Sequence, residues 1–548
     1  MTDLAPRSRE GRRAALLAGL VILAIGLAII DSLPVGVAFD DAMYVILAKA
    51  LATGQGYRWL NLPGAPPATH FPPGYPALLA VIWRAFPSFP ANVLAFKAVN
   101  ALLLALAGAT MVVFARRRFG FSPLAAAVLA IAGCVVIPVL VLSSSVLSEP
   151  LFLAVLLPIL LVGERVVEGE RRMRDLVLLG LLAGIATLVR THGIAITAGL
   201  ALALLLRPAA SATARVDPFA ALRSRLRDAF VVVACAGLVM LPWQLWVRAN
   251  QGFVPEPMRG LYEESYAAWM VRGIKSEGVS VLWRTSVRTS TEIAGIFATL
   301  ATPLAYNWAR LVTLVALALL LIAGLRRSWR TAPVTTLFLA VYSAIVIVWP
   351  FGPTRFIWGI WPLFVLVFVL GAVELKSWAP RRPGAEATRA LLLACSLFVG
   401  VGYARYNVRG YRDHWWSTVA RSQAEIVRPV VMWARNHTRP HDVVASTVEP
   451  AVYLYSGRLA VPVTALNVRD YFRSPTVAES ETALRQILAG YHVDAIAIGA
   501  AGDSLRAALR AMTSREVPEL VVRDSFVNGL VFAPAASPRV SSQHPGHQ

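Results

Sequence analysis

Apolar runs of about 20 residues recur along this chain, and clusters of arginine punctuate them. A helix rises 1.5 Å per residue, so about 20 apolar residues cross the ~30 Å hydrocarbon layer of a bilayer. Lipid offers no partner to a backbone N–H or C=O, so such runs must be helical. Eleven runs qualify: 14–33, 91–115, 122–143, 146–163, 176–190, 191–206, 229–248, 305–325, 333–350, 356–374 and 389–404. Charged residues make up 15% of the chain, against about 25% for a soluble protein. The expected fold class is an all-α polytopic membrane domain of about 11 transmembrane helices, followed by a small C-terminal extracytoplasmic α/β domain.

The arginines set sidedness. Arg7, Arg9, Arg12 and Arg13 precede the first run, Arg116–Arg118 follow the second, and Arg165, Arg171, Arg172 and Arg174 follow the fourth. Arg207, Arg215, Arg223, Arg225 and Arg227 follow the sixth, Arg326, Arg327 and Arg330 the eighth, and Lys376, Arg381, Arg382 and Arg389 the tenth. Positive residues stay cytoplasmic, so the N-terminus is expected inside and, after an odd number of spans, the C-terminus outside. This placement accounts for the net charge of +21 without nucleic acid as a partner. The first run is too long for a signal-peptide core, and Gly36-Val37-Ala38 is a poor cleavage site. Cys134, Cys235 and Cys395 all fall inside runs and carry no disulfide or zinc spacing.

The expected organisation follows: a cytoplasmic N-terminus (1–13), a membrane domain (14–404) with outer loops 34–90 and 249–304, an outer α/β domain (405–534), and a disordered tail (535–548). In the first loop, Met43, Leu47, Ala50 and Leu51 share one stripe of a helix that starts at Asp40 and ends at Gly54 and Gly56. Residues 74–86 are apolar but too short to cross. In the C-terminal domain, 415–437 reads as an amphipathic helix, 443–445, 461–463, 493–498 and 520–522 as strands, and Asn528-Gly529 as a hairpin turn.

Two adjacent acids, Asp40 and Asp41, open the first-loop helix. One reading is a helix cap, for which a single Asp suffices. The other is chemistry. His70, Glu149, Arg190, His192 and Arg355 all fall at expected outer helix ends or loops, in a chain otherwise poor in charge. Each also reads singly as an anchor, a helix start or a snorkelling side chain. Ionisable groups that converge at one depth suit the activation of a hydroxyl beside a phosphate: a carboxylate takes the proton and an arginine fork holds the phosphate.

The run "FDDAMYVILAKALATGQGYRW…THFPPGYPALLA" resembles the first outer loop of the GT-C membrane glycosyltransferases. The similar branch holds the dolichyl-phosphate-mannose–protein mannosyltransferases and the bacterial lipid A aminoarabinose transferases. "SEPLF", "LVRTHG" and "TRFIWGIWP" resemble their later outer-end motifs. The resemblance implies an inverting transfer of a hexose or pentose, from a polyprenyl-phosphate-linked donor to a cell-envelope acceptor, on the outer face of a bacterial plasma membrane. It implies Asp40 and Asp41 as catalytic residues, with Asp40 as the base. It further implies Arg190, Arg355 and His192 as contacts of the donor phosphate, and Tyr44, His70, Tyr75 and Glu149 as substrate contacts. A divalent metal ion at Asp41 and His70 is the one cofactor it allows. Relatives with Lys before the first proline differ from this chain, which has Phe71 there. Two other classes fit a polytopic chain: a transporter or flippase of envelope lipids, and a non-catalytic assembly scaffold. The first wants charged or broken helices near the midplane and often internal repeats; Lys97 and Asn100 are the one polar pair well inside a span, and no repeat is visible.

Overall fold

The computed structural model describes residues 4–535 apart from 170, 208–217, 379–384, 468–469, 471 and 527–528. Arg215, Arg381, Arg382, Asn528 and the expected tail beyond 535 lie outside the described residues. The chain divides into two compact units, one of residues 1–31, 96–243 and 282–417, the other of 32–95, 244–281 and 418–548.

The first unit is helical, and each of the eleven expected runs falls on a helix. Among the described residues, five helices are long and apolar enough to cross a membrane: Arg9–Ala28, Val93–Phe119, Glu149–Glu168, Pro218–Ala249 and Asn307–Thr331. A sixth span forms if Pro123–Cys134 and Ile137–Ser144, bent by 62°, act together. The chain is therefore a multi-pass membrane protein. The expected spans 191–206 and 333–350 are shorter apolar helices, Thr191–Leu206 and Pro333–Ile347.

Small residues set the packing. Between Asn307–Thr331 and Trp361–Trp378, a Cβ on Gly324 would lie 2.0 Å from the Val367 carbonyl oxygen, and one on Gly371 would lie 2.0 Å from that of Leu320. Such close approach replaces the hydrophobic drive that lipid does not supply. Polar groups in this unit satisfy backbone ends. Glu164 accepts from the amides of Val334 (3.1 Å) and Thr335 (2.7 Å), capping the helix that begins at Pro333. Lys97 pairs with Asp31 at 2.7 Å, and the Asn100 amide donates to the carbonyls of Ser145 and Leu147. The polar pair that would have served a transporter thus ties segment ends together.

The second unit combines a five-stranded sheet with several helices, among them Asp40–Ala52 and Gly74–Ala85. The strands are β1 (Val443–Ser446), β2 (Leu459–Pro462), β3 (Ala495–Ile498), β4 (Leu520–Phe526) and β5 (Gly529–Pro534), in the order β2-β1-β3-β5-β4. β1 is parallel to β2 and β3, while β5 is antiparallel to β3 and β4. β1 and β3 are buried along their whole length, as a sheet covered on both faces requires. The unit's three chain segments are knitted through buried polar groups. Trp59 donates to the Tyr262 carbonyl (2.8 Å), Asn61 to the Tyr262 hydroxyl (3.0 Å), and that hydroxyl to Glu449 (2.8 Å).

Candidate active site

The two acids divide their labour at the start of the Asp40–Ala52 helix. Phe39, the residue before it, has φ 61° and ψ −65°, a left-handed conformation that bulky residues seldom adopt. The Asp40 N–H donates to the Ala38 carbonyl at 2.8 Å, closing a tight turn of the strained γ kind. The carboxylate that holds this turn belongs to Asp41. Its Oδ2 accepts from the Gly36 amide (2.9 Å), and its Oδ1 from the amides of Ala38 (3.3 Å) and Ala42 (2.9 Å). Asp41 is buried, whereas Asp40, the last residue of the turn, is half-buried. Backbone strain of this sort, over-determined by its surroundings, marks functional segments.

Burial pushes the Asp41 carboxyl up from the ordinary 3.8 to about 6; the charge of Asp40 adds to this, and the three backbone donors oppose it. The folded chain thus binds this proton more tightly than the unfolded one. The resulting stabilisation is full below pH 3.8 and is lost as pH rises to about 6. Replacing Asp41 by Asn removes that titration and leaves one acceptor oxygen for three donors. Each buried donor left unpaired costs about 1–3 kcal/mol. Thermal unfolding in detergent across pH 4–6 should show a lower midpoint and a flatter pH dependence for Asp41→Asn. An unchanged midpoint and slope would remove Asp41 from this role.

Aromatic rings surround the turn's neighbours. Tyr44 meets Phe71 and Tyr75 edge-on, each at 5.1 Å. Tyr57 donates to the Phe71 carbonyl at 2.8 Å. His70 packs against Phe71 and Tyr266, each at 4.7 Å, and its Nδ1 lies 2.7 Å from the Glu264 carbonyl oxygen. A carbonyl only accepts, so Nδ1 carries the proton and Nε2 keeps its lone pair. Burial lowers the pKa of His70, against the effect of the Glu264 carbonyl and the Asp40 charge, and favours this neutral form.

The other expected residues gather in the first unit. Glu149 starts the helix Glu149–Glu168, Arg190 follows the end of Met173–Val189, and Arg355 lies in the short helix Thr354–Gly359. Both guanidiniums reach one oxygen of Glu149: Arg190 Nη1 at 2.8 Å and Arg355 Nε at 2.9 Å from Oε1. Glu149 Oε2 is buried and makes no hydrogen bond among the described residues. Arg190 also donates to the Ser148 hydroxyl (3.0 Å) and lies over the Phe356 ring (5.5 Å). Two cations and one anion leave a net positive charge at these helix ends. His192 is packed among Trp349 (4.2 Å), Phe356 (4.4 Å) and Tyr342 (5.8 Å). Sequence reasoning missed Tyr57, Glu264, Tyr266, Trp349 and Phe356 as neighbours of these groups. The last two flank Arg355 in "WPFGPTRFIW"; nothing local marked Glu264, which is 194 positions from His70.

No family model matches the chain, and no curated protein matches it in sequence. Solved structures do. ArnT from Cupriavidus metallidurans bound to undecaprenyl phosphate is 13% identical, with 95% of this chain and 98% of that one covered and a TM-score of 0.52. The same protein in its apo state gives 14% identity, coverage of 94% and 97%, and a TM-score of 0.51. The fold is ArnT-like. A mostly helical, multi-pass chain with a small sheet near its C-terminus is the fold class expected from the sequence. The archaeal oligosaccharyltransferase AglB from Archaeoglobus fulgidus, in complex with an inhibitory peptide and a dolichol-phosphate, is also similar. It is 13% identical over 88% of this chain and 69% of that one, with a TM-score of 0.47.

The two residues expected to hold a metal are differently placed: both oxygens of Asp41 already accept backbone amides, whereas His70 donates Nδ1–H to a carbonyl and keeps its Nε2 lone pair, the form in which a histidine binds a metal. Among the described residues no three His, Cys, Asp or Glu side chains converge to hold an ion. What these groups offer is a carboxylate at a strained turn and a paired guanidinium fork.

Proposed function

We propose that the protein is an integral-membrane glycosyltransferase that moves a hexose or pentose from a polyprenyl-phosphate carrier to a hydroxyl-bearing cell-envelope acceptor. The observation that carries this reading is the strained turn at Phe39, which sets a half-buried Asp40 beside the buried, amide-held Asp41. The ArnT-like fold supports it, since ArnT was solved with undecaprenyl phosphate. In this reading Asp40 takes the proton of the acceptor hydroxyl. The acceptor oxygen attacks the anomeric carbon from the face opposite the phosphate, the bond from that carbon to the phosphate oxygen breaks, and the configuration inverts. Arg190 and Arg355 receive the charge that develops on the departing phosphate. Tyr44, His70 and Tyr75 are assigned to the substrate side, and Glu149 orients the two arginines.

Purified protein supplied with undecaprenyl-phosphate-linked sugars and envelope extract should release free undecaprenyl phosphate. Arg190→Lys and Arg355→Lys should each weaken donor affinity, because a planar fork becomes a point charge. Unchanged donor affinity in both variants would sink the phosphate assignment.

The arginine pattern further supports an inner-membrane placement with the N-terminus cytoplasmic and the C-terminal domain outside. A cysteine placed at exposed Asp503 should react with an impermeant reagent added from the outer side. Labelling only from the cytoplasmic side would reverse the topology.

A further inference from the structure

Parallel strands need a crossover of about a dozen residues or more, and residues 447–458 supply it between β1 and β2. The crossover contains the helix Glu449–Ser456. That helix is buried at every position except Tyr455, which is half-buried. A helix buried on all sides is covered by more than the sheet it crosses. Part of its cover is the first outer loop, which belongs to the same unit.

The Val35 N–H donates to the Tyr455 hydroxyl at 2.9 Å, across 420 positions of sequence. Gly36 has φ 100°, a conformation that side chains rarely tolerate, and a Cβ there would lie 2.7 Å from the Ala451 Cβ. Phe89 packs against the Tyr455 ring, with 5.0 Å between centres, and holds the phenol from the side. Farther along the helix Asp40–Ala52, Lys49 donates to the Tyr453 hydroxyl at 3.1 Å, and its ammonium lies 4.6 Å from the centre of that ring.

The contacts of Tyr455 and Ala451 fall where the acids are set. Asp41 gathers the amides of Gly36, Ala38 and Ala42, which fixes the internal shape of the turn but not its place against the rest of the unit. Tyr455 takes the amide just before Gly36, and Ala451 abuts Gly36 itself. Val35 is 1% exposed, so no water replaces the phenol as its acceptor if the hydroxyl is removed. The phenol stays protonated: burial raises its pKa, the Val35 amide opposes this, and the charge of Asp41 adds to it. We propose that Tyr455 is a positioning residue: from the C-terminal domain it seats the turn of residues 35–41 and so fixes where the Asp40 carboxylate stands. Its bearing on catalysis rests on reading Asp40 as the base of the transfer.

The test uses the full chain in detergent and compares Tyr455→Phe with Tyr453→Phe. Each removes one phenol hydroxyl from the same helix and keeps the ring, but only Tyr455 holds an amide of the turn. Hydrogen–deuterium exchange of a peptide covering residues 33–43 reads the turn without any substrate. Tyr455→Phe should speed that exchange roughly two- to tenfold, the scale of one hydrogen bond, and Tyr453→Phe should leave it as in wild type. Release of undecaprenyl phosphate from undecaprenyl-phosphate-linked sugars in envelope extract should show kcat about tenfold lower in Tyr455→Phe with the donor KM unchanged, within the hundredfold that a 1 Å misplacement can cost. Unfolding midpoints of both variants should remain within a few degrees of wild type. Unchanged exchange in Tyr455→Phe, equal loosening in Tyr453→Phe, or a loosened turn with unchanged kcat would each overturn the proposal. Wild-type protein that releases no undecaprenyl phosphate would instead sink the transferase reading, and the exchange rates would still decide whether Tyr455 seats the turn.

Discussion

Replacing Asp40 with Asn should lower sugar transfer by about a hundred- to ten-thousand-fold, the usual cost of removing a general base. Asn matches Asp in size, and the hydrogen bonds that hold the turn come from Asp41, so the helix start should survive. Donor affinity should change little, because the phosphate contacts are assigned to Arg190 and Arg355. The variant therefore separates chemistry from folding. Single-turnover transfer, measured beside the unfolding midpoint, reads both. An Asp40→Asn protein that folds, enters the membrane and transfers at a near-normal rate would leave the acids as a helix start and nothing more.

The second large effect concerns Glu149. Its side chain is 3% exposed and that of Arg190 is 9% exposed, and a single oxygen holds both Arg190 and Arg355. Glu149→Ala leaves two guanidiniums side by side without their counter-ion. Breaking a buried pair from one side typically costs about 3–5 kcal/mol, more than the pair itself contributes. Removing Arg190 as well, in Glu149→Ala/Arg190→Met, should recover part of that loss, because less uncompensated charge remains. Thermal unfolding of the single and double variants checks this. A Glu149→Ala protein as stable as wild type would show that the cluster does not hold the helix ends together.

Much of the fold was legible because membrane physics leaves few options. Long apolar runs must be helical, and all eleven fall on helices, with 122–143 and 356–374 each broken into two. The first-loop helix was equally plain: acids at its head, an apolar stripe along it, and glycines after it. It runs Asp40–Ala52. The amphipathic segment 415–437 is the helix Trp415–His437. The short helix Glu449–Ser456 was not foreseen, since its eight residues hold too few turns to show a period. Nor was the position of β5 between β3 and β4, a tertiary choice that a hairpin sequence leaves open.

The candidate site was legible as a set of residues but not as an arrangement. That Glu149 binds Arg355 across 206 positions cannot be read from either local motif. The different surroundings of Asp40 and Asp41 depend on the left-handed backbone of Phe39, a conformation that sequence alone gives no reason to expect of phenylalanine. The same turn directs both Asp41 oxygens to the backbone.

The most direct test of the central claim is mass spectrometry of the cell envelope, which needs no prior choice of sugar or acceptor. Glycans, glycolipids and polyprenyl-phosphate sugars would be compared between cells with the gene, cells without it, and cells carrying only Asp40→Asn. The expected result is that one sugar-bearing envelope species disappears while its polyprenyl-phosphate donor accumulates, in the deleted and Asp40→Asn cells alike. Unchanged envelope glycans and unchanged donor pools in both would contradict a lipid-linked glycosyltransferase with Asp40 as its base.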